Sequence, residues 1–456
     1  MLKKSGEALP VTLNKLLSAM IIQNVHIFNG EPVTGTSDIH ISQEGIITAI
    51  TGSGAPTPGE DMIDGRGMLA LPGLTDAHRH VWQAPFKGVA ADLMLLEYLD
   101  KVAGGIGSQI SAEELYYINL YGYIQCALAG ITTVFDWSHI MNSAEHADAA
   151  VQAAVDSGLN VLFLHATPAT ERDKYWNQSI TRHDPYIETL VARHGHAFPN
   201  VRIGMGIRGP EFATMDVNRA DIGLADALGI PASMHIGSSL LGKIHKPALQ
   251  LAEQGLLTQN LNLVHCNTLS HEEMSLIAQA GSLVTITPEA EMQTGLGEPA
   301  ARFMADIPGL KWSIGTDIPT GSTDSLLFQQ RLLLQYYRSL VNHRVIENME
   351  FPVQMPYAAN KFFFDSMESA NAYAGLNTSA RIGAGSKACF SLFRLEGLNN
   401  RAFLQNPAFY YLQEPNIDTI VINGKLALQS GQWLAHDLES IERNVSSIVA
   451  RIMGRF

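Results

Sequence analysis

Residues 69–80 read Leu-Ala-Leu-Pro-Gly-Leu-Thr-Asp-Ala-His-Arg-His, an apolar run that ends in two histidines one residue apart. Side chains at i and i+2 of a strand share a face, so the imidazoles of His78 and His80 can point together at one ion. Short apolar runs ending near a polar residue recur along the chain. They are GITTVFDW (130–137), LNVLFLHA (159–166), VRIGMGIRG (201–209), IPASMHIG (230–237), LNLVHCN (261–267), GSLVTITPE (281–289) and LKWSIGTD (310–317). Between them lie segments with helical periodicity, such as 111–130, 219–229, 270–281 and 324–340. Ser111 and Ser270 each stand three residues before a glutamate, which fits a capping box at a helix start. Strands alternating with helices in this way predict an α/β chain whose parallel sheet closes into a (β/α)8 TIM barrel.

Outside this middle the texture changes. Residues 19–28, 37–50 and 60–71 read as short strands separated by turns. A similar pattern returns over 387–395 and 417–434, where Asn423-Gly424 makes a good hairpin turn. Two β-rich ends flanking one long middle predict a small composite β-sandwich domain, residues 20–70 with 380–440, beside a barrel over 71–379. Residues 1–19 are expected to form an extension and 441–456 a C-terminal helix. A chain of 456 residues is long enough for both units.

Composition narrows the partners. Apolar residues make up 46% of the chain and charged residues 16%, which suits a globular protein with a sizeable core. The net charge of -14 is spread without a run of five like charges, which argues against nucleic acid or an anionic membrane as a partner. Cys126, Cys266 and Cys389 are far apart and odd in number, so a disulfide framework is not expected and a reducing compartment is. The N-terminal segment has positive charge but no sustained apolar stretch, and LLSAMII is broken by Gln23. Neither a signal peptide nor a membrane span is expected, which makes the cytoplasm the predicted location.

In a barrel of this kind the C-terminal strand ends form the mouth of the active site, so polar residues there converge although they are distant in sequence. His78 and His80 end the first strand, His235 the fifth, His265 the sixth and Asp317 the eighth. Neutral imidazoles with a carboxylate suit zinc, with iron or another divalent ion also compatible. Each residue alone has an ordinary reading, as a satisfied polar group or, for Asp317 after Gly-Thr, as a helix cap. The ordered set is what points to a metal. Trp82, Gln83, Asp136, Trp137 and His139 lie just beyond the first two strands. Gln83 is placed to hydrogen-bond a substrate, and Trp82 and Trp137 to stack on a planar ring. His139 and His165 also sit at strand ends. Cys266, on the opposite strand face from His265, reads as core rather than nucleophile.

The stretch 69–80, together with the ordered histidines and the aspartate, resembles the signature of the amidohydrolase superfamily. The similarity runs from the N-terminal strands through the barrel to 417–434. It is strongest to the branch of cytosine and adenosine-type deaminases and triazine hydrolases. The resemblance implies that His78, His80, His235 and Asp317 hold one divalent ion, and that His265 contacts substrate or bound water. Arg208 ends the fourth strand where two-metal members carry a lysine, which implies a single metal. Asp317 is then expected to accept a proton from water acidified by the ion and to pass it to the leaving group. His265 is expected to hydrogen-bond the developing charge. A small-molecule substrate and a homodimer or higher homo-oligomer are also implied, with the apolar helix over 324–340 as one interface.

Two departures stand out. Deaminases of this branch usually carry a glutamate three residues after the fifth-strand histidine, and Ser238 occupies that place. Glu211, Glu289 and Glu291 are the carboxylates that could substitute for it. The second departure is Lys387-Ala388-Cys389-Phe390, where relatives often have Gly-Lys followed by Ala-Asp; the segment reads as a structural strand. The leading expectation is a mononuclear hydrolase of a non-peptide carbon–nitrogen bond, by deamination or by opening a cyclic amide or amidine, on a small heterocycle. The alternatives are dechlorination or decarboxylation at the same metal, or an inactive relative that acts as a binding protein.

Overall fold

The computed structural model describes residues 20–54, 61–195, 197–395 and 412–455, so the extension expected over 1–19 lies outside the described residues. Five strands precede the first histidine pair: β1 (Met20–Ile27), β2 (Ser37–Ile41), β3 (Ile47–Gly52), β4 (Asp61–Asp64) and β5 (Met68–Pro72). Pro72-Gly73 then turns the chain into the barrel. Its strands are β6 (Leu74–Arg79), β7 (Ile131–Ser138), β8 (Asn160–Ala166), β9 (Val201–Arg208), β10 (Ala232–Ile236), β11 (Leu261–His265), β12 (Leu283–Ile286) and β13 (Lys311–Ile314). They pair in sequence order and all in parallel. Strands β6, β7, β8, β11 and β12 are buried at every residue, because helices cover one face and the barrel interior fills the other. That is why they read as continuous apolar runs.

The seam between β13 and β6 closes through the site itself. The backbone N–H of His80 donates to the Asp317 carbonyl at 2.9 Å, and the Asp317 N–H donates to the His78 carbonyl at 2.9 Å. Buried Asp76 braces the seam, accepting from the Thr316 N–H at 3.1 Å and the Thr316 hydroxyl at 2.5 Å. Arg79 donates to the same hydroxyl at 2.9 Å and pairs with Asp324. Gly315 makes the approach possible, since a Cβ there would sit 2.5 Å from the His78 carbonyl oxygen.

Both capping boxes form as the sequence predicts. The Glu114 N–H donates to Ser111 Oγ at 3.3 Å, and the Glu273 N–H to Ser270 Oγ at 3.2 Å. The helix Leu326–Glu347 differs from expectation in one respect. Leu326, Leu327, Leu333, Leu334 and Tyr337 are buried in the barrel core, so its apolar character serves packing rather than an interface. The exposed apolar residues lie at its end and beyond it, at Ile346, Met349, Phe351, Val353 and Met355.

After the barrel come β14 (Phe390–Arg394), β15 (Ile417–Ile422), β16 (Lys425–Gln429) and β17 (Gln432–Trp433). They join the N-terminal strands in one nine-stranded mixed sheet of order β17-β16-β15-β14-β5-β1-β2-β3, with β4 on β1. The sheet is therefore drawn from both ends of the chain, with β14 antiparallel to β5 as the junction. Lys387 fastens it to the N-terminal face of the barrel, donating to Asn160 Oδ1 at 3.2 Å and the Leu376 carbonyl at 2.8 Å. That is the face where side chains serve stability rather than chemistry. The last helix, Leu438–Met453, buries Ile441, Val445, Ile448 and Ile452 against the barrel. Among the described residues, no helix is long and apolar enough to cross a membrane.

Candidate active site

Four side chains from three parts of the barrel meet at its C-terminal mouth. One ligand-capable atom from each of His78, His80, His235 and Asp317 lies within 4.8 Å of the others. Asp317 Oδ1 is 3.2 Å from His78 Nε2 and 3.4 Å from His80 Nε2, and His235 Nε2 is 3.2 Å from His78 Nε2. Burial pushes the His78 imidazole down to about 4 and His235 well below the ordinary histidine range. Both are therefore neutral near pH 7 and offer lone pairs. His80 Nδ1 lies 2.7 Å from the Trp137 carbonyl and donates to it, which leaves its Nε2 free to face the cluster. Burial raises the Asp317 carboxyl, but its close contacts with the imidazoles of His78 and His80 outweigh it and hold the group well below the ordinary carboxylate range. Three imidazoles and one carboxylate converging on one point fit a divalent cation.

His265 stands beside this set on a firm support. Its Nδ1 lies 3.3 Å from Glu291 Oε1 and 3.1 Å from Thr287 Oγ1, so Nε2 is left for the cavity. The same Glu291 oxygen accepts from the Thr287 N–H at 2.8 Å, which fixes the carboxylate. Burial lowers the His265 pKa, yet the Glu291 hydrogen bond and the charge of Asp317 leave it raised overall. His265 and Asp317 both adopt left-handed backbone, with φ of 80° and 65°. Non-glycine residues hold that conformation only where the surrounding structure over-determines it, which happens at functional sites.

Above the cluster opens a cavity of about 640 Å³ including its mouth. Its wall is Leu95, Tyr98, Leu99, Trp137, Trp176, Phe212, Leu296 and Ile318, with His139, Ser238 and Thr294 between them.

Residues 69–427 match the model of the amidohydrolase family. The chain belongs to the amidohydrolase family. This amidohydrolase is a hydrolase of carbon–nitrogen bonds other than peptide bonds. It is 24% identical over 438 residues to 5-methylthioadenosine/S-adenosylhomocysteine deaminase of Pyrococcus furiosus, covering 92% of this chain and 98% of that protein. Its fold superposes on atrazine chlorohydrolase of Arthrobacter aurescens TC1, solved with zinc, with a TM-score of 0.78 and 19% identity, covering 94% of this chain and 100% of that one. An adenosine deaminase of Xanthomonas campestris with bound zinc gives 0.77 at 17% identity, covering 96% and 99%.

The remaining sequence candidates fall in different places around the amidohydrolase cavity. Ser238 and His139 line it, as does Trp137. Trp82 stands behind His139, donating from its indole to His139 Nδ1 at 3.3 Å. Gln83 is buried one layer back, donating to the Tyr98 hydroxyl at 2.5 Å and accepting from Thr320 at 2.8 Å. Glu211 is buried outside the lining, where Oε1 accepts the Gly237 N–H at 2.6 Å and Oε2 has no partner. Glu291 is the support of His265. Glu289 faces away, accepting from the Thr323 N–H and Gln329. Asp136 is bonded to Tyr123 and the Val81 N–H, and His165 to His183, both outside the lining. Arg208 is bonded to the Tyr175 and Thr181 carbonyls and pairs with Asp221. Cys266 is buried, with its thiol pushed up by burial.

Sequence reading missed Thr287 and most of the wall. Leu95, Tyr98 and Leu99 come from the segment 94–106, within the long connection between the first and second barrel strands. That insertion was a usable signal, because long loops after barrel strands build the mouth.

Proposed function

We propose that this amidohydrolase carries one divalent ion, zinc in first place, on His78, His80, His235 and Asp317, and removes an amino group from a small heterocycle by adding water. The observation that carries the reading is the convergence of three imidazoles and one carboxylate at the floor of a largely apolar cavity. Relatives named as deaminases and two zinc-containing structural neighbours support it.

A divalent ion in such a set acidifies water and polarises the carbon under attack. The chain's own residues do the rest. Asp317, ionised and facing the cavity, takes the proton from the attacking water and hands it to the departing amine. His265, oriented by Glu291 and Thr287, donates a hydrogen bond to charge that develops at the reacting centre. Ser238 and Tyr98 supply neutral donors to the ring, while Gln83 orients Tyr98 and Trp82 orients His139. Glu211 supports the backbone that presents Ser238. The overall change consumes one water and one ring C–NH2 group and yields ring C–OH and ammonia.

A second reading has one specific support. Among the described residues, the cavity lining holds no carboxylate except Asp317. Chloride leaves without needing a proton, so hydrolysis of a ring carbon–chlorine bond suits a site poor in acids. Cytoplasmic location and assembly with further copies complete the reading. They are supported by three buried, unpaired cysteines and by the exposed apolar residues Met349, Phe351, Val353 and Met355.

Elemental analysis of the purified chain beside His78→Ala is the direct test. About one zinc per chain, absent from the variant, is expected. Ammonia release from amino-heterocycles then identifies deamination, and chloride release from chloro-heterocycles identifies the second reading. A folded chain that takes up no metal when supplied with zinc overturns both.

A further inference from the structure

We propose that residues 346–355 are a docking arm, and that the arm seats in a cleft on a second copy of this chain. The exchange is mutual and closes a two-fold dimer at the barrel end opposite the active-site mouth. This rests on the assembly reading above and names the surface that carries it.

The arm stands clear of the protein. Residues 346–355 are exposed without interruption between the helices Leu326–Glu347 and Ala359–Ala374. Met349, Phe351 and Val353 are 93%, 90% and 88% exposed, with Ile346 and Met355 exposed beside them. These five side chains present roughly 600 Å² of apolar surface, where a stable interface needs about 800 Å² from each partner and a monomer seldom leaves as much bare. The arm is nonetheless fixed at both feet. The Met349 N–H donates to the Ile346 carbonyl at 2.9 Å, and the Glu350 N–H to the Val345 carbonyl at 3.1 Å. At the other foot Arg338 donates to the carbonyls of Pro356 at 3.2 Å and Tyr357 at 2.9 Å. Met349 and Tyr357 turn the chain out and back in left-handed backbone, with φ of 60° and 55°. That conformation is strained in residues other than glycine. Pro352 and Pro356 stiffen the span between the feet. An apolar row pre-formed in this way loses little further entropy on docking.

The cleft adjoins the arm's second foot. It holds about 790 Å³ including its mouth, and Met304, Pro308, Leu310, Trp312 and Tyr357 supply its apolar lining. Tyr357 meets Trp312 edge-on, with centroids 6.2 Å apart. Trp312 lies at the start of β13, at the barrel end away from the mouth. Because arm and cleft share one face, a two-fold axis between two copies seats each arm in the other's cleft. Such a contact closes on itself instead of propagating. Charge agrees with the exchange. Lys311 is an exposed residue of the cleft lining and Glu350 an exposed residue of the arm. Among the described residues, neither side chain makes an ion pair within its own chain. The exchange brings the two opposite charges together and leaves both active-site mouths open to solvent.

Sedimentation velocity of the zinc-supplied full chain, at micromolar and submicromolar concentrations, tests this. A dimer is expected. Phe351→Asp is expected to raise its dissociation constant at least 100-fold, with circular dichroism and zinc content unchanged. Lys311→Glu and Glu350→Lys are each expected to weaken the dimer about tenfold, by setting like charges against each other. An equal mixture of these two single variants is expected to recover the wild-type dimer, because each arm then meets an opposite charge in its partner's cleft. An arm folded onto its own cleft could not give that recovery. Two weakened variants that stay weak when mixed overturn the proposal. So does a dimer indifferent to Phe351→Asp and Lys311→Glu, which leaves assembly standing through another face. A wild-type monomer overturns the assembly reading as well. A monomer that pellets with phosphatidylcholine vesicles, and loses this with Phe351→Asp, assigns the arm to a lipid surface and likewise overturns the proposal.

Discussion

The floor and the wall of the cavity come from different parts of the barrel and are held in different ways. His78, His80, His235 and Asp317 end barrel strands or follow them directly, and backbone hydrogen bonds of the seam run through His78, His80 and Asp317. Leu95, Leu99, Trp176, Phe212 and Leu296 come from the segments after the strands, where apolar packing places their side chains, joined for Trp176 by an indole hydrogen bond to the Pro168 carbonyl. The floor thus fixes chemistry to a fraction of an ångström, because any shift of a ligand is a shift of the sheet. The wall fixes polarity, and a side chain there can be exchanged for another of similar character. If this division holds, floor substitutions act on kcat and metal content, and wall substitutions act on KM.

The largest expected effect is at the floor. Asp317→Asn keeps the size of the side chain but removes the proton acceptor and one anionic ligand. Loss of kcat by about 10⁴ or more, some 5 kcal/mol of transition-state stabilisation, is expected. A loss below tenfold in steady-state assays would mean that another group carries the proton, and the contrast between floor and wall would collapse.

Next comes Glu211, which lies behind Ser238 where wall and floor meet. Burial raises its carboxyl to about 7 from an ordinary value of 4.5. The folded chain therefore holds a proton there that the unfolded chain releases, between about pH 4.5 and 7. Stability from this group is full below the lower value and is lost as pH rises through the upper one. The loss amounts to about 3 kcal/mol by pH 8. Glu211→Gln keeps an oxygen to accept the Gly237 N–H and cannot ionise. Urea unfolding is expected to show the variant more stable at pH 8 and little changed at pH 4. An unchanged difference between the two pH values would place a compensating partner at Oε2.

Third is Glu291→Gln, which tests whether the floor depends on its supports. The amide still accepts from the Thr287 N–H but holds His265 Nδ1 without charge. Supporting residues of this kind are worth roughly 10- to 100-fold. A fall in kcat of that size with zinc content unchanged is expected. Loss of zinc instead would make Glu291 a guardian of the ligands rather than of His265.

The same contrast governs what could be read in the chain before its structure. Strand alternation makes His78 and His80 share a face whatever surrounds them, and the apolar runs mark each strand end, so the floor was legible. Asp76, Arg79 and Thr287 were not, because their roles arise only when β13 meets β6 and when Glu291 turns back on its helix. Glu289 and Glu291 show the limit most clearly. They are two residues apart on one short helix, so they point in different directions, one to Gln329 and one to His265. Sequence alone cannot say which of two such carboxylates faces inward without the helix's rotation. Gln83 likewise follows the metal pair closely, yet its side chain turns to Tyr98 and Thr320. Tyr98 itself sat unremarked in an apolar segment, where nothing distinguishes a residue lining a cavity from one in the core.

The smallest expected effect sharpens the wall's side of the contrast. Trp176 donates its indole N–H to the Pro168 carbonyl at 3.1 Å and meets Phe212 edge-on, with centroids 5.2 Å apart. Trp176→Leu forfeits both contacts but keeps the position apolar. If the wall acts by excluding water and charge, KM rises about threefold, near 0.7 kcal/mol, and kcat is unchanged. Uniform binding lost equally from substrate and transition state has that signature. A tenfold fall in kcat would show that the indole positions the ring for attack, and Trp176 would then belong with His265 rather than with Leu99.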